Sequence, residues 1–182
     1  DPQVTTPAAT SADGIYVLEA DGLTVEETGD IAVEQVNFNS TTTTVTDASL
    51  ADLVTTDTGE NGPIKVLAAD GSLTVEDGDA AAINGNDGIG VDADGSGNVL
   101  LQTQAADGDV VVNADVVSDT GHITLNAGDD VDLNADVLTD GDAGIERAAA
   151  GARRWLLKGG MSRNHTHRGS APERLVPSSI PR

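Results

Sequence analysis

The residues with the most chemical capacity in this chain are acids. The stretch INGNDGIGVDADGSGNV (83–99) gathers Asp87, Asp92 and Asp94 among glycines in one short loop. Hard divalent cations take six to eight oxygens from carboxylates, carbonyls and water, so calcium is the cofactor such a loop would hold. The same acids also read as a plain Asp/Gly turn. Catalytic groups are scarcer. His122 occupies an outward slot beside Gly121 and reads as solvated surface, and His165 and His167 form an HTH pair near the C-terminus without acidic context. Paired carboxylates serve glycoside hydrolysis, but such sites also need a cation for acidic sugars or an aromatic platform for neutral ones. Residues 1–143 offer only Lys65, Tyr16 and Phe38 for those roles. No G-x-S-x-G, P-loop or H-E-x-x-H motif is present. The expectation is a protein without enzymatic activity, with a polysaccharide-active enzyme as the remote alternative.

These acids sit on elements that repeat. GDVVVNADVVSDTG (108–121) aligns with DDVDLNADVLTDG (129–141), placing Val110 on Val131, Val112 on Leu133, Asn113 on Asn134, Asp115 on Asp136 and Val116 on Val137, 21 residues apart throughout. A looser copy sets 97–110 over 121–131 at an offset of 24. EADGLTVEETGDIAV (19–33) echoes AADGSLTVEDGDAAA (68–82) about 49 residues later, the length of two coils. Within each unit apolar and polar residues alternate: Ile123, Leu125 and Ala127, then Val131, Leu133, Ala135 and Val137. A period of two belongs to strands, and the Gly-Asp, Asp-Gly and Thr-Gly pairs between them suit tight corners. Strands recurring every 21 to 24 residues with in-register identities predict stacked coils, a β-solenoid in which each coil buries its apolar residues against its neighbours.

Stacking gives two of the acids a relationship. Asp115 and Asp136 would lie on adjacent strands about 4.8 Å apart, as would Asn113 and Asn134, whose amides can form a ladder. Two carboxylates at that distance repel by roughly 0.8 kcal/mol at a water-like dielectric. Salt screening, a saline medium or a bound cation would have to offset this, so Asp115 and Asp136 join Asp87, Asp92 and Asp94 as candidate calcium ligands.

The pattern divides the chain into three segments: a linker or frayed end at 1–12, the repeat domain at 13–143, and a basic segment at 144–182. Inside the repeat domain, the Thr-rich stretch 38–61 reads either as an irregular coil or as a loop leaving the stack. GIERAAAGARRWLLKGG (144–160) predicts a short helix closed by Gly159 and Gly160, followed by a disordered tail. Charge follows the same division. Residues 1–143 hold one basic residue, Lys65, against 29 Asp and Glu, whereas 144–182 hold eight Lys and Arg against two acids. A body near −28 repels nucleic acid and anionic membrane surfaces, and no apolar run is long enough to cross a membrane as a helix. Zero cysteines exclude disulfides and thiol chemistry. A chain that starts at Asp1 and reaches its first Met at 161 reads as a fragment or a processed product.

GHITLNAGDDVDLNA (121–135) resembles the repeat phrase of filamentous-haemagglutinin-type bacterial adhesins, and the likeness extends over about 62–141. Membership of that family would imply a right-handed parallel β-helix, export to the cell surface, and a structural or adhesive role toward host or neighbouring-cell surface proteins or glycans. It supplies no catalytic residue. Within the acidic loop, DADGSG (92–97) resembles a portion of an EF-hand loop but lacks the third alternating acid and the distal Glu, and the same region is similar to a single imperfect RTX nonapeptide. A calcium-binding acidic repeat module is therefore the alternative function.

Overall fold

The structure, a computed structural model, describes residues 5–56, 62–78, 88–139, 144–149 and 156–157. The chain advances in coils of three short strands. The first coil comprises β1 (Ala9–Ser11), β2 (Ile15–Glu19) and β3 (Leu23–Val25), after which β4 (Ile31–Val36) and β5 (Thr42–Asp47) form an antiparallel hairpin. The second coil comprises β6 (Leu53–Thr55), β7 (Ile64–Ala68) and β8 (Leu73–Val75), and the third β9 (Ile89–Ala93), β10 (Val99–Thr103) and β11 (Val110–Val112). The fourth contains β12 (Asp115–Ser118), β13 (Ile123–Ala127) and β14 (Val131–Leu133), and the fifth β15 (Val137–Thr139), β16 (Ile145–Ala149) and β17 (Leu156–Leu157).

Equivalent strands of successive coils pair in parallel, giving three five-stranded sheets: β1-β6-β9-β12-β15, β2-β7-β10-β13-β16 and β3-β8-β11-β14-β17. The fold is all-β, its parallel sheets are compatible with a β-solenoid, and no helix occurs among the described residues. Alternation decides which side chains enter the core. Ile64, Val99 and Ile123 stack in register, as do Val66, Leu101 and Leu125, and Leu73, Val110 and Val131. All nine are at most 1% exposed. Burying one such side chain is worth about 1.5–3 kcal/mol. With so few rings in the chain, these Val, Leu and Ile columns are the core.

The repeat offsets read from the sequence reappear as pairing register. Val110 pairs with Val131 and Val116 with Val137, both 21 residues apart, and Val99 pairs with Ile123, 24 residues apart. The offset of 49 has a different origin from the one expected. Ile15 pairs directly with Ile64, so the two echoing segments belong to adjacent coils and not to coils two steps apart. The extra length is the β4–β5 hairpin. The stack is therefore left at Ile31, and by Leu53 the chain is again paired within it. Re-entry passes through Asp52, buried with φ of 65°, whose Oδ1 accepts the Gly78 N–H.

Both ends differ from the sequence expectation in detail. Ala9–Ser11, within the segment read as a linker, forms β1 and pairs with β6. Ahead of it Pro7 is buried and the Thr5 carbonyl accepts the Thr24 N–H, so this segment lies over the first coil. The helix expected over 144–160 is not formed by the residues described there. Ile145–Ala149 and Leu156–Leu157 are strands, paired with β13 and β14. The reason is tertiary. The edges of β13 and β14 present rows of unpaired N–H and C=O groups, and joining that ladder outweighs an intrinsic helix preference of a few tenths of a kcal/mol per residue. Ile145 completes the column above Ile123 and is 6% exposed. The tail beyond 157, with His165 and His167, lies outside the described residues.

Candidate functional site

Each corner of the stack must satisfy a backbone N–H at the point where a coil turns into its next strand. The structure solves this with side-chain acceptors from the coil before. Asp115 Oδ1 accepts the Asp136 N–H at 2.8 Å, Asp109 Oδ1 accepts the Asp130 N–H at 2.9 Å, and Asn98 Oδ1 accepts the His122 N–H at 2.8 Å. The His122 ring continues its column by accepting the Gly144 N–H at Nδ1, 3.0 Å away. Ser72 Oγ does the same for Asp109 N–H at 3.1 Å. An ionised carboxylate is an acceptor only, so aspartate suits a corner where a donor must be met. The partial positive charge of the next coil's N–H thus faces the carboxylate that the sequence left without a counter-charge.

Buried hydroxyls work beside these columns. Thr103 Oγ1 donates to the Gly108 carbonyl and accepts from the Gly128 N–H of the next coil, at 2.7 and 3.0 Å. Ser118 Oγ donates to the Gly97 carbonyl and accepts from Gly121 N–H, at 2.8 and 2.9 Å. Backbones approach so closely here that a Cβ on Gly128 would collide with the Ala105 carbonyl oxygen. The expected amide ladder is also present. Asn134 Nδ2 donates to Asn113 Oδ1 at 2.8 Å, and Asn113 Nδ2 donates in turn to Glu76 Oε1 at 2.6 Å.

The candidate calcium ligands are distributed along this scaffold. Asp115 and Asp136 are neighbours, as their spacing required. Asp92 lies on β9 in register with Val117, two residues beyond Asp115 along β12. Asp94 follows β9, where its Oδ1 accepts the Gly95 N–H at 2.8 Å and its own N–H donates to Thr55 Oγ1. Asp119 Oδ2 reaches the same Gly95 N–H at 3.1 Å. Asp87 lies outside the described residues. Among the described residues no group of three or more His, Asp or Glu converges as a metal ligand set.

A second surface feature was not singled out from the sequence. The outer face of the β2-β7-β10-β13 sheet carries Tyr16 and Leu18, then Lys65 and Leu67, Leu100 and Gln102, and Thr124 and Asn126. No acid stands on it across these four strands. Tyr16 and Leu18 are 71% and 75% exposed, and Tyr16 is the register partner of Lys65. The signal lay in the polar slots of IYVLE, IKVLA and VLLQT, where Leu18, Leu67 and Leu100 stand in place of the acids and amides found elsewhere. Phe38, the remaining ring of the body, is fully exposed at the tip of the β4–β5 hairpin, away from this pair in the chain's course. The face offers a flat apolar strip with one aromatic platform and one ammonium, which is chemistry for contact.

Compared with protein-family models, with curated proteins and with solved structures, the chain matches none.

Proposed function

We propose that this chain is a structural and adhesive segment of a large secreted or cell-surface bacterial protein, a unit of scaffold wound as a right-handed parallel β-helix. The observation that carries the reading is the continuation of three parallel sheets through five coils, with side-chain caps passed from one coil to the next. Such a stack can lengthen without changing its cross-section. Right-handedness follows from the strong preference of parallel crossover connections, about 98% of which are right-handed. Adhesion is assigned to the acid-free face, because it is where a partner meets Tyr16, Leu18, Lys65, Leu67 and Leu100 without crossing the carboxylate corners. The partners proposed are surface proteins or glycans.

The test is adsorption of the purified chain to host-cell surfaces and immobilised glycans, wild type against Tyr16→Ser/Lys65→Glu. Binding that falls at least about tenfold, about 1.4 kcal/mol, supports the face. Wild-type binding that the double variant leaves unchanged would remove the adhesive assignment from it.

A further inference from the structure

The β4–β5 hairpin stands apart from the stack. Its twelve strand residues are all exposed, and it forms a two-stranded sheet with no third strand among the described residues. Isolated two-stranded hairpins are marginal in water. This one is nevertheless held at its root, where Asp30 Oδ1 accepts the Ser49 N–H at 2.9 Å and Thr28 exchanges hydrogen bonds with Leu50. It is also held at its tip, where Asn37 Nδ2 donates to Thr41 and Thr43 hydroxyls and Asn39 Oδ1 accepts from Thr41. Ile31, Val33 and Val45 share one face of the hairpin and are 43–61% exposed.

The direction of the free groups on β5 follows from the register. Asn37 N–H donates to the Thr41 carbonyl, so 37 and 41 form a hydrogen-bonded pair. Hydrogen-bonded and non-hydrogen-bonded pairs alternate in an antiparallel ladder. The pairs 35/43, 33/45 and 31/47 are then bonded, and the N–H and C=O groups of Thr42, Thr44 and Thr46 point away from β4. Natural edges are commonly guarded by lysine, proline or a bulge. Thr42–Thr46 carries none of these.

We propose that this free edge pairs antiparallel with the same edge of a second copy of the chain, joining two hairpins into a four-stranded sheet. A twofold axis at Thr44 sets Thr44 opposite its own copy, Thr42 opposite Thr46, and Thr43 opposite Val45. Six backbone hydrogen bonds form, and no charged residue faces another. That last point selects the occupant. In a chain of net charge −22, association through the corner columns would oppose carboxylate to carboxylate, whereas this edge is uncharged from Thr42 to Thr46. The apolar faces of the two hairpins become continuous through Val45 and the opposing Thr43. The contact is small beside the roughly 1,200–2,000 Å² of a stable interface, so the dimer is weak, dependent on concentration and strengthened by salt.

Sedimentation equilibrium of the full chain, from about 10 µM to about 1 mM and at about 0.05 and 0.5 M NaCl, tests it. The wild type is expected to dimerise, more tightly at the higher salt. Thr44→Pro removes an outward N–H without touching the β4 ladder. Thr44→Lys keeps a partner in Glu34 but sets two ammonium groups opposite each other across the junction. Each should weaken dimerisation at least about tenfold, while Leu18→Lys on the acid-free face leaves it unchanged. A wild type that stays monomeric throughout overturns the proposal. So does a dimer that both Thr44 variants retain, or one that Leu18→Lys abolishes.

Discussion

Replacing Asp115 separates the two roles a stacked aspartate can have. Asp115 Oδ1 accepts the Asp136 N–H at 2.8 Å, and a hydrogen bond to a charged group contributes about 1.5–3 kcal/mol. Against it stands the repulsion between the two carboxylates, roughly 0.8 kcal/mol at a water-like dielectric. Asp115→Ala loses both terms, for a net cost of about 1–2 kcal/mol, which lowers the melting temperature by about 2–8 °C in a chain of this size. Asp115→Asn keeps an acceptor oxygen, gives up the charge assistance and relieves the repulsion, so its stability should lie within about 0.5 kcal/mol of wild type. Thermal denaturation followed by far-ultraviolet circular dichroism reads both, and added salt should favour wild type over Asn by screening the repulsion. If Asp115→Ala melts with wild type, the carboxylate is no cap. If Asp115→Asn falls as far as Asp115→Ala, the charge matters and the acceptor does not, as a bound cation would require.

Three further outcomes follow from the same geometry. His122→Ala should free the Gly144 N–H and speed hydrogen exchange in β16, at a cost of about 0.5–1.5 kcal/mol, whereas His122→Asn should restore protection because Asn98 is the equivalent cap in the preceding coil; equal exchange in both variants contradicts the cap. The Thr44 and Thr42 hydroxyls hold the Glu34 carboxyl below its ordinary value. A depressed carboxylate gives stability present above its unfolded value and lost as pH falls through the folded one, so the hairpin's NMR signals should shift on acidification below the ordinary glutamate range, and Glu34→Gln should remove that response. Because Asp94, Asp109, Asp115 and Asp119 each accept a backbone N–H and no three acids converge as a ligand set among the described residues, millimolar calcium should raise the melting temperature no further than sodium at equal ionic strength, and a specific rise removed by chelation would favour the calcium module.

Where the sequence was legible, one physical rule governed it. Period-two alternation placed Ile123, Leu125, Val131 and Leu133 in the core because a strand offers only two faces, and identities 21 residues apart placed Asp115 over Asp136 because stacked coils repeat their corners. The β4–β5 hairpin was legible only in part. A loop leaving the stack was one of two readings of the Thr-rich stretch 38–61, but the alternation of its strands also fits a coil, so the offset of 49 passed for two coils. The fate of Ile145–Ala149 was equally hidden, since its residues favour helix in isolation and only the waiting edge of β13 makes them a strand. The capping role of Asp109 and Asp115 was hidden because a sequence displays side-chain charges and not the backbone N–H groups that meet them.

The central claim is the stacking register, and amide NMR of this 18.4 kDa chain reaches it directly. Cross-strand NOEs are expected between Leu100 and Thr124 and between Val111 and Asp132, pairs that lie in register on parallel strands of successive coils. NOEs that instead join β10 to β11 or β13 to β14 as antiparallel hairpins would contradict the stacked coil and everything built on it.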